Sequence, residues 1–465
     1  MALTRILILS ATTGYQLRAF NDAAEALGVE LVFATDRCHQ LDDPWQDRAI
    51  AVRFHEPEAS LDAIVRAARE RRVDGVVAVG DRPVVLAAHA ARALGLPGNP
   101  PDAAAASANK AEARRRFADA GLPTPWFYTM PAPSEPRTPN PEPPRFPCVL
   151  KPLGLSGSRG VIRVDDEPAF DAAVDRIERL LSRPDVRVAR TGLEDAILVE
   201  EFIPGREFAV EGVLTRGTFR AFAIFDKPDP LDGPFFEETI YVTPSRLPDD
   251  AQADVLAAVA RGADALGLTH GPLHAECRVN DRGVFPLEIA ARPIGGLCSR
   301  VLAFAGAGGW GLREGAGGEL GAGGELGAGG RVRGQSAAGE SASCSLEHVL
   351  LAHALGREIE GYRREPCASA VMMIPIPARG HLKQVHGEAD ARAVAGVTEV
   401  RITAKPDQLL EPLPEAASYL GFIFARAADA AGAERAVRDA HARLRFDIAR
   451  EIVVKAASSQ LPPAS

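Results

Sequence analysis

His274-Ala-Glu276-Cys-Arg-Val-Asn280, Asp281-Arg282-Gly283 and Val284-Phe-Pro-Leu-Glu288-Ile-Ala290 form two strand-like runs joined by a tight turn with glycine available for positive φ, the pattern of a β-hairpin. Folding about Arg282 pairs Ala275 with Ile289, Cys277 with Leu287 and Val279 with Phe285 on an apolar face. Glu276 then faces Glu288 on the other side. Like charges directly opposed on a sheet are destabilising unless something neutralises them. Two carboxylates are also the hard oxygen ligands that Mg²⁺ takes when it binds phosphates as well. Taken alone, the pair would suit one exposed glutamate and one salt-bridged glutamate equally well.

Upstream, Pro147-Cys-Val-Leu-Lys151 reads as an apolar strand ending in lysine, followed by the Gly/Ser loop Gly154-Leu-Ser156-Gly157-Ser158-Arg159-Gly160 and a second β-branched run from Val161. Such glycines let backbone N–H groups close on an anion, with Lys151 and Arg159 adding charge. The loop lacks Gly-Lys-Ser/Thr and leads into a strand, which excludes a P-loop and the dinucleotide fingerprint. A third element, Ala196 to Leu214, reads as two strands flanking a connector that carries Glu200 and Glu201. Its alternative reading is a solvent-facing turn.

Lysine strand, glycine loop, Glu-Glu connector and Glu…Glu-x-x-x-Arg hairpin occur in this order within about one domain's length, and the set resembles the ATP-grasp superfamily. The resemblance implies that Lys110, Lys151 and the loop with Gly154, Ser156, Gly157, Ser158 and Gly160 contact the phosphates of ATP. It implies further that Glu200, Glu201, Phe202 and Ile203 hold adenine, that Glu207 binds the ribose, and that Glu276 and Glu288 hold Mg²⁺, with Mn²⁺ as an alternative. Arg292 would steady the transferred phosphoryl group. Ala290 departs from the family's usual asparagine and cannot ligate a metal. The strings around Phe225-Asp-Lys227, Phe235-Phe-Glu237-Glu238 and Ala290-Ala-Arg292-Pro-Ile-Gly295-Gly296 are similar to the L-amino-acid ligase branch, as is the trailing region from Ala370. This similarity adds Lys227 as a phosphate contact and Glu238 as a partner for a substrate ammonium.

The expected fold is a multidomain α/β and α+β protein with a Rossmann-like N-terminal parallel sheet, an ATP-grasp fold and a small α+β C-terminal domain. The expected divisions are 1–105 (N-terminal α/β), 106–305 (ATP-grasp), 306–334 (a glycine-rich disordered insertion) and 335–465 (the end of the ATP-grasp region and the C-terminal ligase domain). Alternating strands and helices in the first hundred residues support the parallel sheet. The Gly-Glu-Leu-Gly-Ala-Gly repeat supports the insertion, and the prolines of 131–147 an extended connector.

The 465 residues, 46% of them hydrophobic, suffice for two or three cores. A net charge of −9 argues against nucleic acid and anionic membranes as partners. Six cysteines without CxxC spacing read as reduced core thiols of a cytoplasmic protein, and no run approaches a membrane span. The expected activity is ATP-dependent joining of small carboxylate and amine substrates through an acyl phosphate. The alternatives are a bicarbonate-activating carboxylase, for which no Met-Lys-Met carrier motif is present, and a nucleotide-binding module without turnover. Oligomeric state is open, with a homodimer among the options. Other conspicuous residues receive plainer readings. His270 and His274 are separated by Gly-Pro and make no helical metal pair, Met372-Met373 is core packing, Arg114-Arg115-Arg116 is a solvated helix face, and Asp81 caps the helix after it, with a place for Gly80-Asp81-Arg82 in the substrate pocket as the alternative.

Overall fold

The computed structural model describes residues 3–11, 16–36, 49–132, 144–305, 343–416 and 418–450. The insertion at 306–334, most of the proline-rich connector and Cys38 lie outside the described residues.

Ile6, Leu7, Ile8 and Leu9 are fully buried, as expected of a parallel strand covered on both faces. They belong to the strand Arg5–Ser10, central in a four-stranded parallel sheet ordered Ile50–Ala51, Glu30–Thr35, Arg5–Ser10, Gly75–Val79. Helices Leu17–Leu27, Pro57–Glu70 and Val84–Ala93 alternate with these strands. Because the strands run parallel, their carboxyl ends share one edge, and Gly80 and Asp81 follow directly from it.

A second, antiparallel sheet is ordered Phe127–Pro131, Ala196–Glu201, Cys148–Pro152, Ile162–Val164. Helix Glu167–Leu181 covers it with Phe170, Val174, Ile177 and Leu181, and the Asp166 carboxylate caps that helix by accepting from the Ala169 amide.

The third sheet has eight antiparallel strands. In spatial order they are Gly283–Ala290, Gly271–Asn280, Arg206–Thr215, Thr218–Asp226, Ile240–Thr243, Ala368–Ile374, Gly421–Ala427 and Val397–Ile402. The hairpin is thus one edge of a sheet whose three strands at the opposite edge come from the last hundred residues. Ala275, Cys277 and Ile289 share a core with Phe117 of helix Lys110–Asp119 and with Val255, Val259 and Ala263 of helix Asp249–Leu266. Helix Lys110–Asp119 starts where Asn109 accepts from the Ala111 and Glu112 amides. Among the described residues, no helix is long and apolar enough to cross a membrane.

Candidate active site

The three sheets meet around a cavity of about 660 Å³. The N-terminal sheet brings Asp81, the small sheet brings Lys151 and Glu200, and the eight-stranded sheet brings Tyr241, Glu276 and Glu288.

Glu276 does pair with Glu288, and Ala275 with Ile289. The rest of the expected register is corrected. The turn holds only Asp281 and Arg282, since Asn280 pairs with Gly283, and Cys277 pairs with Pro286, Arg278 with Phe285 and Val279 with Val284. A β-bulge beyond Glu276 leaves Leu287 as the extra residue. The tighter turn and the bulge each shift the register by one and cancel at Glu288. Leu287 therefore leaves the apolar face and lines the cavity beside Glu288.

At the other end of the cavity, Lys151 emerges from its strand next to the loop 154–160. The backbone is left-handed at Gly157 (φ 63°) and Gly160 (φ 75°), and a Cβ at Gly160 would come within 2.6 Å of Pro152 Cγ. Lys110 Nζ donates to the Leu155 carbonyl at 2.6 Å. The loop is also tied to the C-terminal region, with the Gly160 amide donating to Pro414 O and Arg159 Nε to Glu415 O, both at 2.8 Å.

Glu200 and Glu201 are not in the connector but end the strand Ala196–Glu201. Glu201 takes a partly exposed ion pair with Arg282 at 2.9 Å. Glu200 is buried, with Lys151 Nζ at 2.5 Å and Arg114 Nε at 2.7 Å. Burial pushes its carboxyl up, but Arg114 and Lys151 outweigh that and hold it at about 2. Lys151 is itself pushed down by burial despite Glu200. The solvated-face reading of 114–116 is corrected at Arg114, which is 1% exposed. Arg115 remains on the surface, while Arg116 pairs with Glu112 and donates to Leu266 O. The missed signal was spacing, since residue 114 lies one turn from Lys110 and so on the same helix face.

Between these ends sits Lys227, whose Nζ donates to Glu207 at 2.8 Å, Glu238 at 2.7 Å and Glu276 at 2.8 Å. Burial depresses this ammonium, but the three carboxylates keep its pKa well above the ordinary value. Glu276 is likewise held well below the carboxylate range, because Lys227 and His274 outweigh its burial. Burial and the facing Glu276 carboxylate push Glu238 up to about 7 against the pull of Lys227. Carboxylate oxygens of Glu207, Glu238 and Glu276 all lie within 4.8 Å of one another. Glu207 also accepts from Arg278 Nε at 3.1 Å, and Tyr241 donates to Glu238 at 2.9 Å. Phe202 and Ile203 line the cavity as well.

Arg292 is held by Asp81 at 2.5 Å and reaches Glu288 at 3.9 Å. Asp81 makes no side-chain cap to the helix that follows it, which corrects the capping reading. Burial raises its carboxyl, but Arg292 and Ser156 bring it below the ordinary value. His274 lies across from Ala290 and donates from Nδ1 to the Glu211 carboxylate at 3.1 Å. Burial lowers this imidazole, but hydrogen bonds with Glu211 and Glu276 raise it to about 9. His270 points elsewhere and stacks on His353 at 4.4 Å, so the two histidines are not paired. Met372 and Met373 are both in the core, and Met373 also reaches the cavity wall with Cys298, Tyr419 and Phe422. Cys148, Cys277 and Cys298 are buried free thiols.

A glycine loop facing a carboxylate cage across the meeting of these sheets is the arrangement of an ATP-grasp protein, and family matches agree along the chain. Residues 21–98 match the ATP-grasp N-terminal domain, 144–301 the ATP-grasp domain, and 372–449 the L-amino acid ligase C-terminal domain 2. The chain thus carries ATP-grasp domains followed by an L-amino acid ligase C-terminal domain. Among its relatives, alanine–anticapsin ligase of Bacillus subtilis is 30% identical over 159 residues, 31% of this chain and 33% of that protein. Carnosine synthase 1 of Gallus gallus is 32% identical over 148 residues, 32% of this chain and 16% of that protein. The aligned stretch thus spans a third or less of these relatives' length. The crystal structure of L-amino acid ligase from Bacillus licheniformis shares the fold, with a TM-score of 0.74 over 97% of this chain and 100% of that one, at 23% identity.

Proposed function

We propose that this protein is an ATP-dependent carboxylate–amine ligase that forms an amide or peptide bond between small amino-acid-like substrates. The observation that carries the reading is the single cavity in which Lys110, Lys151 and the glycine loop face Glu276, Glu288 and Arg292. The names of the relatives, a ligase of alanine with anticapsin and a synthase of carnosine, agree with it.

In this reading a substrate carboxylate oxygen attacks the γ-phosphorus of ATP, the bond to ADP breaks, and an acyl phosphate forms. The amine then attacks the acyl carbon, loses a proton, and phosphate departs. Catalysis of this kind consists of positioning and charge neutralisation. Lys110, Lys151 and the loop amides hold the phosphates. Arg292, fixed by Asp81, faces the transferred group, and Glu238 offers a carboxylate to a substrate ammonium. Glu201, Phe202 and Ile203 form the wall for the base. Glu200 contributes to this end through its ion pairs, and Glu207 lies at the edge of the carboxylate cage.

The donor set fits Mg²⁺, since Glu276 and Glu288 present opposed carboxylates on the cavity side and oxygen is the ligand this ion prefers. These two residues would hold it, with Glu207 and Glu238 retaining Lys227. Bound there, it would neutralise charge on the phosphates during transfer. The test is a screen of amino acids and pairs with labelled ATP, read by nucleotide chromatography and product mass. The expected result is Mg²⁺-dependent ADP and phosphate with a condensed product. AMP as the stoichiometric nucleotide would overturn the acyl-phosphate scheme.

A further inference from the structure

We infer that Arg114 is a positioning residue for the metal-binding hairpin, setting the register that puts Glu288 opposite Glu276. The inference rests on the reading of Glu288 as a metal ligand, but its structural half stands without it.

The hairpin alone does not deliver that register. With the two-residue turn and no bulge, Leu287 would oppose Glu276, and Glu288 would move to the face that carries Ala275 and Ile289, into the core. A one-residue slip moves every side chain to the other face. The bulge prevents this, and a bulge disrupts the ladder locally, leaving backbone polar groups that need other partners. Arg114 supplies one. Its Nη1 donates to the carbonyl of Pro286 at 3.1 Å and of Leu287 at 2.8 Å, the two residues immediately before Glu288.

The other edge of the same guanidinium binds Glu200, Nε to Oε2 at 2.7 Å and Nη2 to Oε1 at 3.2 Å. Glu200 in turn holds Lys151 at 2.5 Å, and one turn earlier on the helix Lys110 holds the loop at Leu155. One buried planar group therefore ties the two ends of the cavity together. A lysine could keep the charge opposite Glu200. It could not reproduce the fork that reaches the carboxylate and both carbonyls.

The experiment compares wild type, Arg114→Lys and the charge-balanced double variant Arg114→Met/Glu200→Gln. Mn²⁺ binding in the presence of ADP is followed by electron paramagnetic resonance, hydrogen exchange is followed at the amides of residues 287 and 288, and melting is recorded on the same samples. Arg114→Lys should melt close to wild type yet bind Mn²⁺ about tenfold more weakly, the scale typical of losing a group that orients a metal ligand. Its 287–288 amides should exchange faster, and kcat should fall more than KM for ATP rises. The double variant, if folded, should show the same metal loss. Should Arg114→Lys bind Mn²⁺ within twofold of wild type with unchanged exchange, the positioning role is overturned and Arg114 is a structural ion-pair partner alone. If wild type binds no Mn²⁺ with ADP, the metal reading of Glu288 fails. Exchange at 287–288 then still decides the register role, and unchanged rates in Arg114→Lys would refute it.

Discussion

Replacing Glu200 by glutamine changes one atom type at the centre of the phosphate end and leaves shape intact, so its cost measures the buried charge cluster directly. In the folded protein the carboxyl is held at about 2 against an ordinary 4.5. That difference corresponds to about 3 kcal/mol of native-state stabilisation at neutral pH. The substitution also leaves Arg114 and Lys151 facing each other without their shared counter-charge, and breaking a buried pair costs about 3–5 kcal/mol. A loss of about 3 kcal/mol is therefore expected at pH 7.5 from urea unfolding followed by circular dichroism. Because the folded pKa is depressed, the contribution is complete above the unfolded value of 4.5 and is lost as pH falls toward about 2. The gap between wild type and Glu200→Gln should stay constant from about pH 8 to pH 5.5 and narrow below about pH 4.5. A loss under about 1 kcal/mol at pH 7.5, or a gap that widens on acidification, would refute the assignment of Glu200 as the buried anion of this cluster.

Glu288→Gln should abolish Mg²⁺-dependent phosphate release while shifting melting little, since its core-facing neighbours are untouched and its cation partner Arg292 lies 3.9 Å away; phosphate release at half the wild-type rate or more would remove it from the metal site. Glu415→Gln breaks the paired contacts to Arg176 at 2.5 and 2.9 Å, which are partly exposed. Its cost should be at most about 1 kcal/mol and should shrink in about 0.5 M NaCl, as read from melting curves at two salt concentrations. Burial pushes the thiols of Cys148 and Cys277 up to about 12, and that of Cys298 above its ordinary value. Iodoacetamide at pH 7.5 should leave all three unmodified in the native protein by peptide mass mapping.

Local chemistry determined much of this protein. Alternation, turn residues and caps are nearest-neighbour properties, so the first parallel strands, the helix that starts at Asn109, the glycine loop after Lys151 and the hairpin with its opposed glutamates could all be read from residue order. What the linear pattern could not supply were relations between residues far apart. Arg114 and Glu200 are 86 positions apart, and Arg292 and Asp81 are 211 apart, so Arg114 read as an ordinary surface residue and Asp81 as a cap until packing removed the water around them. The bulge at Leu287 belongs to the same class, because Arg114 reaches the carbonyls of Pro286 and Leu287 only when its helix docks against the hairpin. The carboxylate cage was likewise invisible as a cage. Glu207, Glu238 and Glu276 converge on Lys227 from three different segments. Residue order specified which charges the chain carries and on which strands or loops they sit. Which of them meet, and which are buried enough for their charges to matter, was decided by the stacking of three sheets, because burial and electrostatic strength are properties of the assembled surroundings rather than of the segment.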